Sequence, residues 1–440
     1  LLRRVDGPDG EPRFTMLETI REFGLESLAL HGELAALQRW HAEHFLALAE
    51  TAEPLLRGPE QGRWLDRLEA DLDNLRAAFE WSLGTCDEPE LALRLSGALT
   101  GFWFVRSLFE EGRRWGSRAL DRGPGESLAR VRALTSVGWL AHMQRESGTA
   151  RSLAEEALTL AQRLGDRWWI AWSLHLLGRI GYYDSAPETA RSFGEQSLVL
   201  ARELGDAWVE GWVLRLLGLA AQVAGELPLA CQYYDASMVI CRRLDYREGI
   251  STLIGLLGTI DFHEGRYAAA SSRYRESLDL VRSMRARWNL ASTIAQFAAL
   301  AVAAGEASRA ARLSGSVTRL SEAVSNRPTP LIDGILREAM EQARQILGDA
   351  AFVAEQQAGQ RLSDDEAVAE ALAITIPPDR STRPPGPPGA PASATLPGGL
   401  SAREVEVLKL MAAGATSKEI AAQLVISVHT VESHITHVYQ

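Results

Sequence analysis

Residues 156–166, Glu156-Ala157-Leu158-Thr159-Leu160-Ala161-Gln162-Arg163-Leu164-Gly165-Asp166, return 40 residues later as Gln196-Ser197-Leu198-Val199-Leu200-Ala201-Arg202-Glu203-Leu204-Gly205-Asp206. Weaker copies run from Ala236 to Tyr246 and from Glu276 to Ala286. Two further landmarks keep the same period: Leu177-Gly178, Leu217-Gly218 and Leu257-Gly258, then the turns Gly225-Glu226, Gly265-Arg266 and Gly305-Glu306. Between landmarks the apolar residues recur at helical spacing, as in Leu174, Leu177 and Ile180 or Leu214, Leu217 and Leu219. Each unit therefore reads as helix, glycine turn, helix, longer loop. A helix pair of this size cannot bury its apolar face alone, so the units must stack into an all-α helical-repeat solenoid.

The pattern resembles tetratricopeptide repeats in a variant of about 40 residues. Gly265, Tyr267 and Ala269 fit the usual consensus, while other units drift from it. Fainter helical pairs between Ala42 and Leu120 extend the array, so the solenoid is expected over residues 36–375. The stretch Arg13-Phe14-Thr15-Met16-Leu17-Glu18-Thr19-Ile20-Arg21-Glu22-Phe23-Gly24 resembles something else. It looks like the last strand and helix of the winged-helix module that closes a STAND-class signalling ATPase, placing residues 1–35 outside the repeats. The start, Leu1-Leu2-Arg3-Arg4-Val5-Asp6, reads as the middle of a longer chain. The resemblance implies an ATPase module, and ATP as its cofactor, in a parent protein.

Composition sets further bounds. Apolar residues make up 46% of the 440 and charged residues 23%, ordinary usage for a packed domain. There is no apolar run of membrane-spanning length and no leader-like segment, so a cytoplasmic protein without a membrane partner is expected. Cys86, Cys231 and Cys241 are too few and too scattered for a disulfide framework or a zinc site. A net charge of −11 confines any nucleic-acid contact to a local patch. The only lysines are Lys409 and Lys418, which excludes a P-loop, and there is neither a Gly-x-Ser-x-Gly elbow nor a His-Glu-x-x-His. Nothing here reads as an enzyme, and no cofactor is expected in this chain.

Pro377 to Gly399 is crowded with proline and glycine, which marks residues 376–399 as a flexible tether. Beyond it, Ser401 with Glu404 and Thr416 with Glu419 have capping-box spacing, opening two helices that end at Ala413-Gly414 and Leu424. Val425-Ile426 makes a turn, and Ser427 caps a third helix. This is a helix-turn-helix plan over residues 400–440. On the third helix Val428, Val431, Ile435 and Val438 form an apolar stripe suited to packing against Ile420 and Leu424. The opposite face carries His429, Thr430, Glu432, Ser433, Thr436, His437 and Gln440, side chains able to reach phosphates and base edges in a major groove. His429, His434 and His437 read as DNA-facing or packing residues, not as metal ligands.

Three segments here, Leu400 to Leu408, Ala412 to Ala421 and Ser427 to His434, are similar to the LuxR-type DNA-binding domain in residue type and spacing. The resemblance implies double-stranded DNA as partner and self-association on paired half-sites. It implies phosphate contacts from Lys418 and Thr430 and base-facing positions for Glu432, Ser433 and Thr436, with Ser427, His429 and His437 on the same surface. Members often carry Lys or Arg where this chain has Glu432 and Thr436, so base choice does not carry over. The family's fourth, basic helix lies beyond Gln440, and from Leu400 onward only Arg403, Lys409 and Lys418 oppose four glutamates. The segment as it stands is expected to bind DNA poorly, because each phosphate contact needs a cation.

Trp168, Trp172, Trp208, Trp212 and Trp288 follow the repeat register. They are either knobs packed between stacked helices or an aromatic lining for an effector. Asp166 and Asp206 read as loop and cap residues. The expectation is a transcription regulator whose repeats sense a protein or small-molecule effector. Its alternative is an interaction scaffold that binds no DNA.

Overall fold

The protein is described by a computed structural model over residues 2–6, 12–84, 88–324, 328–376, 402–412, 414–424, 431 and 435. It falls into two compact units, Leu1–Asp379 and Arg380–Gln440.

The first unit opens with an antiparallel hairpin, β1 (Leu2–Asp6) and β2 (Pro12–Met16), pairing Leu2 with Met16 and Asp6 with Pro12. The sequence reading expected one strand here; a second precedes it. Then come α1 (Glu18–Leu30), α2 (Leu34–Leu55), α3 (Gln61–Ala70), α4 (Leu72–Leu83), α5 (Pro89–Ala98), α6 (Thr100–Val105) and α7 (Phe109–Arg122). The regular array follows as α8 (Leu128–Met143), α9 (Ser147–Leu164), α10 (Arg167–Tyr183), α11 (Pro187–Leu204), α12 (Ala207–Val223), α13 (Leu227–Arg243), α14 (Arg247–His263), α15 (Tyr267–Met284) and α16 (Arg287–Ala303). It closes with α17 (Ala307–Ala323), α18 (Pro330–Leu347), α19 (Asp349–Gln360) and α20 (Asp364–Leu372).

Residues 145, 165, 185, 205, 225, 245, 265, 285 and 305 all have positive φ, one every 20 residues. Each ends a helix in the left-handed conformation. Five of these positions are glycine, while Arg145, Ser185, Asp245 and Arg285 adopt the same geometry. The expectation of one turn and one longer loop per unit is thus corrected: every joint is short, two or three residues, because each needs only one left-handed residue before the N-cap of the next helix. Asp166 and Asp206 supply that cap, accepting hydrogen bonds from the amides of Trp168 and Trp169 and from Val209.

The even-numbered helices α8 to α16 are buried on nearly all sides, whereas α9 to α15 expose one face. Gly218 and Gly258 explain the recurring Leu-Gly landmark. A β-carbon at Gly218 would lie 2.6 Å from Cδ1 of Tyr234, and one at Gly258 would lie 2.6 Å from Cε1 of Tyr274. Both tyrosines are buried against the bare helix surface. The stacking also repeats at atomic detail. Ser197, Ser237 and Ser277 donate to the carbonyls of Ala171, Gly211 and Ser251, at 2.7, 2.7 and 2.9 Å.

The winding is tight enough for the first helices to fill the interior. Phe104 on α6 lies 6.0 Å from Trp212 and 5.3 Å from Trp288. The Arg106 guanidinium donates to the Met284 carbonyl at 2.8 Å, and Arg57 stacks 4.3 Å over Trp208. At the far end α17 crosses α19 where Gly315 and Gly359 bring the backbones together, and Ser316 donates to the Gly359 carbonyl at 2.9 Å. No described helix is long and apolar enough to cross a membrane.

Candidate functional site

The inward helices carry polar side chains at places where the helical pattern calls for apolar ones. His175 on α10 is wholly buried, its ring 5.0 Å from Trp172, 5.8 Å from Trp212 and 6.0 Å from Trp139. Neither ring nitrogen has a hydrogen-bond partner. One turn on, Arg179 is 5% exposed, with its guanidinium 4.9 Å over Trp139 and no partner for Nε. Among the described residues Arg179 forms no ion pair. Arg215 on α12 stacks 3.8 Å over Trp212 and meets the buried Glu248 carboxylate at 3.4 Å. Thr252 donates to that carboxylate at 3.0 Å.

Burial and the neighbouring Arg179 push His142 and His175 well below the ordinary histidine range. Burial likewise pulls Arg179 below the usual guanidinium value. Leaving a charged group dry without a counter-charge is costly, so a buried arginine normally has a carboxylate beside it. Arg215 has one and Arg179 does not.

Two cavities open between these helices. The first is lined by Arg57 together with Trp139, Trp168, Trp172 and Trp208. The second is bordered by Arg179, Arg215, Thr252, Asn289 and Gln296 over an apolar floor that includes Phe104 and Trp288. The tryptophans therefore fit both halves of the sequence reading: Trp172, Trp212 and Trp288 are buried knobs, and each also lines one of the cavities. The interior polar set was not anticipated. Its available signal was an arginine inside an otherwise apolar helix, in Leu177-Gly178-Arg179-Ile180 and Val213-Leu214-Arg215-Leu216.

In the second compact unit α21 (Ala402–Ala412) and α22 (Ser417–Leu424) are joined at Gly414, whose φ is +82°. The Gly414 amide donates to Met411 and the Ala415 amide to Leu410, closing the first helix. The Thr416 amide donates to the Glu419 carboxylate at 2.8 Å, and the Glu419 amide donates to Thr416 Oγ1 at 3.4 Å. That is the expected capping box, and the bonds from Thr416 hold the Glu419 carboxyl below its ordinary range. Val407, Ile420, Ala421 and Val431 form the core, with Ile435 packed against it. The Val431 and Ile435 half of the expected stripe thus meets Ile420. Lys418 lies in α22, with its side chain outside the described atoms. Ser401, Ser427, Val428, His429, Thr430, Glu432, Ser433, His434, Thr436, His437 and Val438 lie outside the described residues, as does the side chain of Glu404.

Residues 399–440 match the family of bacterial regulatory proteins, luxR family, and residues 210–283 match the tetratricopeptide repeat. The chain thus carries tetratricopeptide repeats and a helix-turn-helix segment of the luxR type. Over 171 residues it is 33% identical to an HTH-type transcriptional regulator of Mycobacterium bovis, an alignment covering 37% of this chain and 19% of that relative. A stretch of 41 residues is 56% identical to an oxygen regulatory protein of Staphylococcus carnosus, covering 9% of this chain and 19% of that protein. The chain therefore spans under a fifth of the length of the curated relatives it matches. Among solved structures, a Rap protein complexed with competence and sporulation factor superposes with a TM-score of 0.52 at 15% identity. That superposition covers 79% of this chain and 99% of the other, a likeness of fold.

Proposed function

We propose that this chain belongs to a cytoplasmic transcription regulator in which a helical-repeat sensor governs a LuxR-type helix-turn-helix that docks on double-stranded DNA. The observation that carries the reading is the match of residues 399–440 to the luxR family. It is supported by the packing of Val407, Ile420 and Val431 into the small core that such a domain needs. In this reading residues 1–35 are the tail of a winged-helix module, 36–375 the sensor, 376–399 the tether and 400–440 the DNA-binding segment. Lys418 and Thr430 contact phosphates, and Glu432, Ser433 and Thr436 face bases, flanked by Ser427, His429 and His437. Binding as a dimer sets the half-site spacing, and a STAND-class ATPase module in the parent protein supplies the ATP dependence.

Fluorescence anisotropy of the parent protein, with its natural C-terminus, on fragments selected from genomic DNA tests the reading. The expected result is saturable binding that weakens steeply with salt and falls on Lys418→Ala, Thr430→Ala and Ser433→Ala. Binding that is flat across sequences and salt concentrations would sink it in favour of an interaction scaffold.

A further inference from the structure

We infer that the cavity between α10, α12, α14 and α16 binds a small monocarboxylate ligand that also bears a hydroxyl or amine hydrogen-bond donor and an apolar body. The inference deepens the sensing half of the reading above and does not depend on DNA binding.

Charge comes first. Arg179 and Arg215 border the cavity, and Glu248 neutralises Arg215, so one buried positive charge is left over among the described residues. A single uncompensated guanidinium, stacked on Trp139 and only 5% exposed, calls for one negative charge. A carboxylate fits a guanidinium fork with two parallel hydrogen bonds. A phosphate dianion would need a second free cation, which the described wall does not offer.

Polarity comes next. Asn289 is 4% exposed, borders the same space, and its Oδ1 has no hydrogen-bond partner. A buried acceptor left unmade is costly, and a ligand hydroxyl or amine would satisfy it. The rest of the wall, including Phe104, Leu256, Trp288 and Ile332, is apolar. The free space is about 50 Å³ within an envelope of about 590 Å³ that takes in the open mouth, so the ligand is a small one. Arg179 and Asn289 come from α10 and α16, so such a ligand would tie together helices more than 100 residues apart in sequence.

The test titrates the full chain, without DNA, with mandelate and separately with mandelamide, its neutral counterpart, reading tryptophan emission and melting temperature. Mandelate is expected to quench emission saturably and raise the melting temperature, with mandelamide weaker by about tenfold or more. Arg179→Met is expected to lose the mandelate response while keeping the far-ultraviolet helix signal. If that variant does not fold, Arg179→Gln takes its place, and the mandelate–mandelamide comparison stands on the unaltered protein. No saturable response to millimolar mandelate, an equal response to mandelamide, or an undiminished response in the Arg179 variant overturns the inference. Because DNA is absent, failure here leaves the anisotropy result untouched, and the reverse holds too.

Discussion

His142 and His175 sit on consecutive inward helices, α8 and α10, and their protonation is tied to the stability of the whole array. Arg145 and Arg179 face the first, and Arg179, Arg215 and His142 face the second. Folded, both imidazoles stay neutral well below their usual range; unfolded, both take up a proton near pH 6.5. Acid then favours the chain that binds the protons, so stability is full above about pH 6.5 and falls as the pH drops through it. Each histidine contributes about 1.4 kcal/mol per pH unit below that point. Urea denaturation at about pH 7.5 and about pH 5.5 is expected to show this loss, and His175→Phe is expected to remove part of it. An unchanged pH slope in His175→Phe would mean that the imidazole titrates in the folded protein as it does in water. None of this was legible in the sequence, where His175 shares an otherwise apolar stretch with Ser173 in Trp172-Ser173-Leu174-His175-Leu176. A single helix does not announce which of its faces another helix will cover, and here nearly every face is covered.

Helices and turns were far more legible, because their causes are local. The Gly-Asp pairs at residues 165–166 and 205–206 end one helix and cap the next, and both functions belong to the two residues themselves. The uniform shortness of the joints was harder to see, because Asp245 and Arg285 do the work of glycine without looking like it. The crossing of α17 over α19 was invisible for a different reason: Gly315 and Gly359 matter only to each other's helix. A β-carbon at Gly359 would sit 2.6 Å from the Arg312 carbonyl carbon, against backbone that cannot swing aside. Gly359→Ala is expected to cost about 1–3 kcal/mol by overpacking. Gly334→Ala on α18, where nothing lies within 4 Å, should instead be neutral or stabilise by roughly 0.5–1 kcal/mol through helix propensity. Guanidinium denaturation of both variants compares them directly, and equal effects would refute the close-crossing account. In the second compact unit the Thr416–Glu419 box and the Ile420 core were readable from spacing alone.

At the scale of the molecule the sequence announced repeats, yet it was silent on how tightly they wind. Periodicity reports what each unit does to its neighbour. It carries no record of a contact between α6 and α16, which rests on Phe104 and Trp288 lying 5.3 Å apart though 184 positions apart in sequence. Winding can be tested by inserting a second copy of residues 187–226, one full unit. Far-ultraviolet dichroism is expected to keep the helical signal, since each joint is repeated intact. Hydrogen exchange across Thr100–Val105 is expected to accelerate, because Trp288 moves away from Phe104. Unchanged protection of that helix would show that the interior closes regardless of unit number.

Solenoids are usually lengthened or shortened by whole units at small cost, since every interface resembles the next. Here the grid of nine evenly spaced joints invites that freedom, while the helix threaded through the middle withdraws it. Unit count becomes a fixed quantity, as the number of staves is for a barrel that must hold water. A gene encoding this array can drift in the side chains of its outer helices, but duplication or loss of a repeat would unseat the whole interior in one step.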